Sequence, residues 1–232
     1  MAGARIGSGA PLSGSAHTGL PLTGLLGGSF NPAHGGHRRI TLFAIAALDL
    51  DEVWWLVSPG NVLKPAKGMA PLPARLASAQ AQSRNAPIRA TAIERELGTR
   101  YTVDTLRAIR RRYPKRRFVW LMGADNLAQF HRWKNWRQIA REMPIAVIAR
   151  PGYDAQALAS PAMAWLRRWR QRPRQLVSGA KQVTPALTIL RFDPDSRSAS
   201  AIRAADPDWS ARIGTASLRD AVTHRAVKWG KS

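Results

Sequence analysis

The chain has 232 residues, enough to bury a sizeable core in one domain, and 45% of them are hydrophobic. It contains no cysteine, which excludes disulfides, thiolate catalysis and cysteine-bound metals and makes a reducing cytoplasm the simplest setting. Thirty-six Lys and Arg against 14 Asp and Glu give a net charge of +22, which suits a polyanion or an anionic small molecule, or reflects only the arginine-rich, alanine-rich codon bias of a GC-rich genome.

No apolar run reaches the length of a membrane span, so no membrane role is expected. Residues 1–20, rich in Gly, Ala and Ser, lack the continuous apolar core of a signal peptide and are expected to be a disordered extension. Residues 21–232 read as a single domain.

Leu22 to Leu26 is a short apolar run. After it come Gly27-Gly28-Ser29-Phe30-Asn31-Pro32-Ala33-His34-Gly35-Gly36-His37 and then apolar residues at helical spacing: Ile40, Phe43, Ala44, Ala47 and Leu48. Strand, glycine-rich turn and helix in that order open a parallel αβ unit. Glycines admit close backbone approach, and a helix start offers unpaired N–H groups and partial positive charge, so the junction suits a phosphate. His34 and His37, three residues apart, can address one anion and stabilise charge spread over a phosphoryl group. A zinc site is the weaker reading, because no Glu follows the first His and no cysteine exists to complete it. A P-loop is weaker still, since the Gly-Lys-[Ser/Thr] ending is absent.

Glu52 to Ser58 reads as a buried parallel strand running into a loop that carries Lys64 and Lys67, either ligand contacts at a strand's carboxyl end or solvated surface lysines. Pro73 to Ser83 predicts a helix and Ile88 to Ile93 a third strand. Thr102 or a neighbour is expected to cap a helix running to Arg112, with Val103, Leu106 and Ile109 inward. Phe118 to Met122 is the fourth strand and leads into Gly123-Ala124-Asp125, where a carboxylate beside a glycine suits the vicinal hydroxyls of a ribose. Trp133 offers a stacking surface next to Lys134, although aromatics three apart, as in Phe130, Trp133 and Trp136, also read as core.

Ile145 to Ala149 predicts a fifth strand, Arg150-Pro151-Gly152-Tyr153 a turn, and Ala155 to Arg170 one amphipathic helix. Leu187 to Arg191 predicts the last strand. Ser196-Arg197-Ser198-Ala199-Ser200-Ala201-Ile202-Arg203 puts hydroxyls at a helix start and an arginine one turn in, a second phosphate clamp or an ordinary capped helix. Leu218, Val222 and Val227 suggest a terminal helix. If both clamps lie at the carboxyl edge of one sheet, they face each other, and in-line transfer between bound phosphates needs no protein nucleophile.

Gly28-Ser29-Phe30-Asn31-Pro32-Ala33-His34-Gly35-Gly36-His37 closely resembles the signature of the nucleotidyltransferase superfamily with the His-x-Gly-His motif, with Asn31 at the position where that signature usually has Asp. Together with Tyr101-Thr102-Val103-Asp104-Thr105-Leu106, Gly123-Ala124-Asp125, Trp133, Arg150-Pro151-Gly152-Tyr153 and Ser-x-Ser-x-x-Arg, the chain is similar in order to the bacterial nicotinate-nucleotide adenylyltransferases. The resemblance implies an α/β fold, a Rossmann-like doubly wound parallel sheet with a small C-terminal helical part from about residue 195. It implies transfer of AMP from ATP, accompanied by Mg2+, to nicotinate mononucleotide, giving deamido-NAD and pyrophosphate. In that reading His34, His37 and Arg203 are catalytic. ATP also meets Gly28, Ser29, Phe30, Gly123, Asp125, Ser198 and Ser200, and the mononucleotide meets Lys64, Thr102, Trp133 and Lys134. Phosphopantetheine adenylyltransferases and cytidylyltransferases, which share the first motif, are the alternatives within the superfamily. A basic nucleic-acid-binding protein is the alternative outside it, and self-association into a homo-oligomer is left open.

Overall fold

The computed structural model describes residues 19–60, 68–149, 154–178, 182–192, 199–215 and 218–227. Six strands form one sheet in the order β3-β2-β1-β4-β5-β6, every pair parallel. They are β1 (Leu22–Gly28), β2 (Glu52–Val57), β3 (Ile88–Thr91), β4 (Arg117–Gly123), β5 (Ile145–Ala149) and β6 (Leu187–Arg191). The middle strands are apolar on both sides, as a parallel sheet covered on both faces requires: β2 and β5 are buried along their whole length.

Alternation sorts those side chains into two cores. On one face Leu22, Leu26, Trp55, Val119 and Ile148 pack with residues of α1 (Gly35–Leu48), α2 (Leu72–Ser83) and α9 (Pro173–Val177). On the other, Leu25, Trp54, Trp120, Met122 and Val147 pack with residues of α3 (Ile93–Glu96), α4 (Thr102–Arg112), α5 (Ala124–Gln129), α6 (Trp136–Glu142), α7 (Asp154–Leu158) and α8 (Pro161–Leu166). The fold is the doubly wound sheet expected, and α10 (Ala199–Ala205) supplies the helical C-terminal part. Among the described residues no helix is long and apolar enough to cross a membrane.

The chain lays β2 and β3 on one side of β1, then crosses back to put β4 on the other. The strand order therefore reverses between β1 and β4, and the crevice beyond their carboxyl ends is where a sheet of this kind takes a ligand.

Four local expectations are corrected. The third strand stops at Thr91 and α3 starts at Ile93, so the run to Ile93 is not one element. Thr102 is the first residue of α4 rather than its cap; Tyr101 holds the cap position and gives no side-chain bond. The helix expected over 155–170 breaks into α7, α8 and a 3-10 turn at Arg167–Trp169, because Pro161 opens a new helix whose cap, Ser160 Oγ, accepts from Met163 N at 3.1 Å. No helix forms over 218–227. Instead Arg219 and Ala226 make an antiparallel bridge around the buried Asp220 carboxylate, which accepts from Val222 N at 2.9 Å and Thr223 N at 3.0 Å.

That carboxylate also takes the Thr91 hydroxyl at 2.8 Å and Ala92 N at 2.8 Å, pinning the C-terminal segment to the end of β3. Asp220→Ala leaves these buried donors unsatisfied and is expected to cost about 3 kcal/mol in urea denaturation; a change below about 0.5 kcal/mol would contradict the pin. A second prediction concerns Glu94, whose carboxyl burial pushes up from 4.5 to about 7. A carboxyl raised on folding binds its proton more tightly folded than unfolded, so stability falls as pH climbs through that window. Melting temperature against pH from about 4.5 to about 7 should fall more steeply for the wild type than for Glu94→Gln; parallel profiles would contradict it.

Candidate active site

The first half of the site is the turn from β1 into α1. His34 is the N-cap of α1 and His37 its third residue, the spacing of a reciprocal cap. His34 Nδ1 accepts from Gly36 N at 3.1 Å, and His37 Nδ1 accepts from His34 N at 3.2 Å. With both Nδ1 atoms taken up as acceptors, Nε2 is the nitrogen that carries the proton on each ring. The two rings lie 3.9 Å apart, centroid to centroid. Histidines three residues apart thus close the helix start reciprocally and bring their two rings side by side.

The turn is held from beneath. Phe30 adopts a φ of 46°, a left-handed conformation that costs a non-glycine residue roughly 1–2 kcal/mol. It is kept there by its buried ring, stacked on Trp55 at 5.0 Å and tilted against His37 at 5.0 Å. A Cβ on Gly28 would meet that ring at 3.1 Å, so glycine leaves room for the packing that sets the turn. From α2, Ser78 Oγ accepts from Ala33 N at 3.0 Å.

Asn31 connects this turn to two distant parts of the chain. Its Nδ2 donates to Gly68 O at 2.9 Å and its Oδ1 accepts from Ala70 N at 3.2 Å. Its backbone carbonyl accepts from Arg203 Nη1 at 2.6 Å, while Arg203 Nη2 donates to Ser200 Oγ at 3.2 Å. The glycine-histidine turn and the Ser-x-Ser-x-x-Arg element are therefore in contact at the sheet's carboxyl edge. This role for Asn31 was invisible in the sequence; the only signal was an amide where the signature carries a carboxylate.

Across the switch point, β4 ends at Gly123 and Asp125 stands exposed in the first turn of α5. A Cβ on Gly123 would lie 2.3 Å from Asp125 Oδ1, so the carboxylate folds back over the glycine and needs its bare backbone. Trp133 is half-buried, edge-on to Phe130 at 5.4 Å and to Trp120 at 6.4 Å. Lys134 Nζ sits 4.1 Å from the Tyr101 ring centroid, which brings Lys134 beside the residue that precedes Thr102. Of the remaining expected site residues, Lys64 and Ser198 lie outside the described residues, as does the Arg150-Pro151-Gly152-Tyr153 turn.

A second concavity, a cavity of about 610 Å³ lined by Arg107, Arg110, Arg116 and Glu142 among others, sits at the amino end of β4. Its cations are largely tied down: Glu142 pairs with Arg107 at 2.9 Å and Arg110 at 2.8 Å, and Glu52 with Arg116 at 2.7 Å. Charge is abundant there, but it is committed to the fold.

Comparison with known proteins gives the family. The cytidylyltransferase-like family model matches residues 25–205. A protein of Erythrobacter litoralis named "Probable nicotinate-nucleotide adenylyltransferase" is 69% identical over 88% of this chain and 94% of its own. One of the same name from Cereibacter sphaeroides is 51% identical over 79% of this chain and 97% of its own. Among solved structures, Plasmodium falciparum nicotinic acid mononucleotide adenylyltransferase complexed with NaAD superposes with a TM-score of 0.58 at 17% identity, covering 79% of this chain and 83% of that one, a likeness of fold. The chain therefore belongs to the nicotinate-nucleotide adenylyltransferase family of cytidylyltransferase-like nucleotidyltransferases.

Proposed function

We propose that this protein transfers AMP from ATP to nicotinate mononucleotide. The observation that carries the reading is the contact between Arg203 and the Asn31 carbonyl, which sets a guanidinium against the loop that bears His34 and His37. The names of its relatives support the same substrates. In the reaction a phosphate oxygen of the mononucleotide attacks the α-phosphorus of ATP. The bond from that phosphorus to the bridging oxygen breaks, and its electron pair leaves on pyrophosphate. No covalent enzyme intermediate is needed, so catalysis is alignment and charge stabilisation.

Each residue then has a task. The Nε2–H groups of His34 and His37 donate to oxygens around the α-phosphorus, where charge builds in the transition state. Backbone N–H groups from Gly28 to Phe30 approach the phosphates, and Asp125, over Gly123, takes the ATP ribose hydroxyls. Arg203, with Ser200 and Ser198, holds the departing pyrophosphate. On the acceptor side Trp133 stacks on the nicotinate ring, backbone N–H groups near Thr102 and the Lys134 side chain meet its carboxylate, and Lys64 meets its phosphate.

Magnesium enters as part of the substrate, bound to the triphosphate. A small hard cation of this kind is held by phosphate oxygens and water. ATP as co-substrate makes the cytoplasm the natural site of action.

Pyrophosphate release from ATP should be fast with nicotinate mononucleotide and slow with phosphopantetheine, and CTP should not replace ATP. His37→Ala should lower kcat about 100- to 1,000-fold, as loss of one transition-state donor does, with the fold intact by circular dichroism. Unchanged turnover in that variant would remove the two imidazoles from the mechanism.

A further inference from the structure

Helix α2 carries a charged side chain buried almost completely. Arg75 is 1% exposed. Its Nε donates to Ala70 O at 2.8 Å, its Nη1 to Ser29 O and Ser58 O at 2.8 Å each, and its Nη2 to Pro59 O at 3.2 Å. Among the described residues no carboxylate pairs with it. Burial lowers its pKa only to about 10, so the guanidinium is charged at neutral pH.

This arrangement differs from that of Arg107, Arg110 and Arg116, which pair with Glu142 or Glu52. An Arg used only to stabilise a fold is ordinarily paired with a carboxylate, because an uncompensated buried charge is costly. Among the described residues the cation is met by four carbonyl dipoles, and they come from three segments: the loop between β1 and α1, the turn after β2, and the segment before α2. All three lie at the carboxyl edge of the sheet, around the proposed site. The Ser29 carbonyl matters most. In a trans peptide the C=O and N–H occupy opposite edges, so holding the Ser29 oxygen toward Arg75 turns the Phe30 N–H to the other side of that peptide plane. Phe30 is the residue with φ of 46°. The same helix grips the far end of the turn, where Ser78 Oγ accepts from Ala33 N at 3.0 Å.

We propose that Arg75 is a positioning residue of the transfer site, fixing the peptide planes of the 29–33 turn and placing a buried positive charge behind the bound phosphates without touching them. The proposal rests on the adenylyl-transfer reading, and inorganic tripolyphosphate separates the two because it probes anion binding with no reaction. Arg75→Lys keeps the charge and loses the fork that spans several carbonyls. It is expected to raise KM for ATP and lower kcat about tenfold each, to leave KM for nicotinate mononucleotide within about twofold, and to halve the rise in melting temperature given by tripolyphosphate. Arg75→Met, which removes the charge as well, should abolish that rise. If neither variant folds, Ser78→Ala decides on the same readouts, with an expected increase of about threefold in KM for ATP. Wild-type kinetic constants for ATP and a wild-type tripolyphosphate response in a folded Arg75→Lys would overturn the proposal. If the wild-type protein releases no pyrophosphate while the tripolyphosphate series behaves as described, the adenylyl-transfer reading fails and the role of Arg75 in anion binding stands.

Discussion

One hydrogen bond joins two distant stretches of the chain at the site: Arg203 donates to the Asn31 carbonyl at 2.6 Å across 172 residues of sequence. Everything proposed for the chemistry needs that closure, because a triphosphate bridged between an N-terminal and a C-terminal clamp requires both at one edge of the sheet. The β1–β4 strand reversal makes the crevice, and Asn31 ties its walls together. The identity of residue 31 follows from this. An amide can donate to Gly68 O and accept from Ala70 N at once. An aspartate in the same place could accept from Ala70 but would set a carboxylate against the Gly68 carbonyl. The residue that departs from the family signature is thus the one best suited to its neighbours here.

The charge of +22 divides in the same way, by location. At the amino ends of the strands, arginines are neutralised in pairs with Glu52 and Glu142. At the carboxyl ends the buried Arg75 donates to carbonyls of Ser29, Ser58, Pro59 and Ala70, and Arg203 is held by a carbonyl and a hydroxyl. Arg75 and Arg203 thus place guanidinium groups held by neutral oxygens beside the β1–α1 turn. Net charge alone could not have shown this, since an arginine in a salt link and one poised for phosphate contribute equally to the sum.

Much of the framework was legible in the sequence because burial on both faces leaves a continuous apolar signature. Glu52 to Val57 and Ile145 to Ala149 announce themselves as central parallel strands in this way. The glycine-histidine turn was legible too, as a strand-to-helix junction, but not its inner geometry. That His34 and His37 cap each other through Nδ1 depends on side-chain conformation, which spacing does not encode. Where the reading failed, a local polar bond overrode periodicity. Ser160 and Pro161 restart a helix inside an amphipathic stretch, and the Asp220 carboxylate folds the last described residues into a bridged turn. Arg75 escaped notice because an arginine in the first turns of an amphipathic helix normally faces water; only the three-dimensional meeting of three loops makes it an interior residue.

The most direct test is a crystal structure with a non-hydrolysable ATP analogue and magnesium. The account predicts a triphosphate lying between the imidazoles of His34 and His37 on one side and the Arg203 guanidinium on the other, with the ribose at Asp125. A triphosphate bound instead among Arg107, Arg110 and Arg116 at the opposite end of the sheet, with the histidine loop unoccupied, would contradict it.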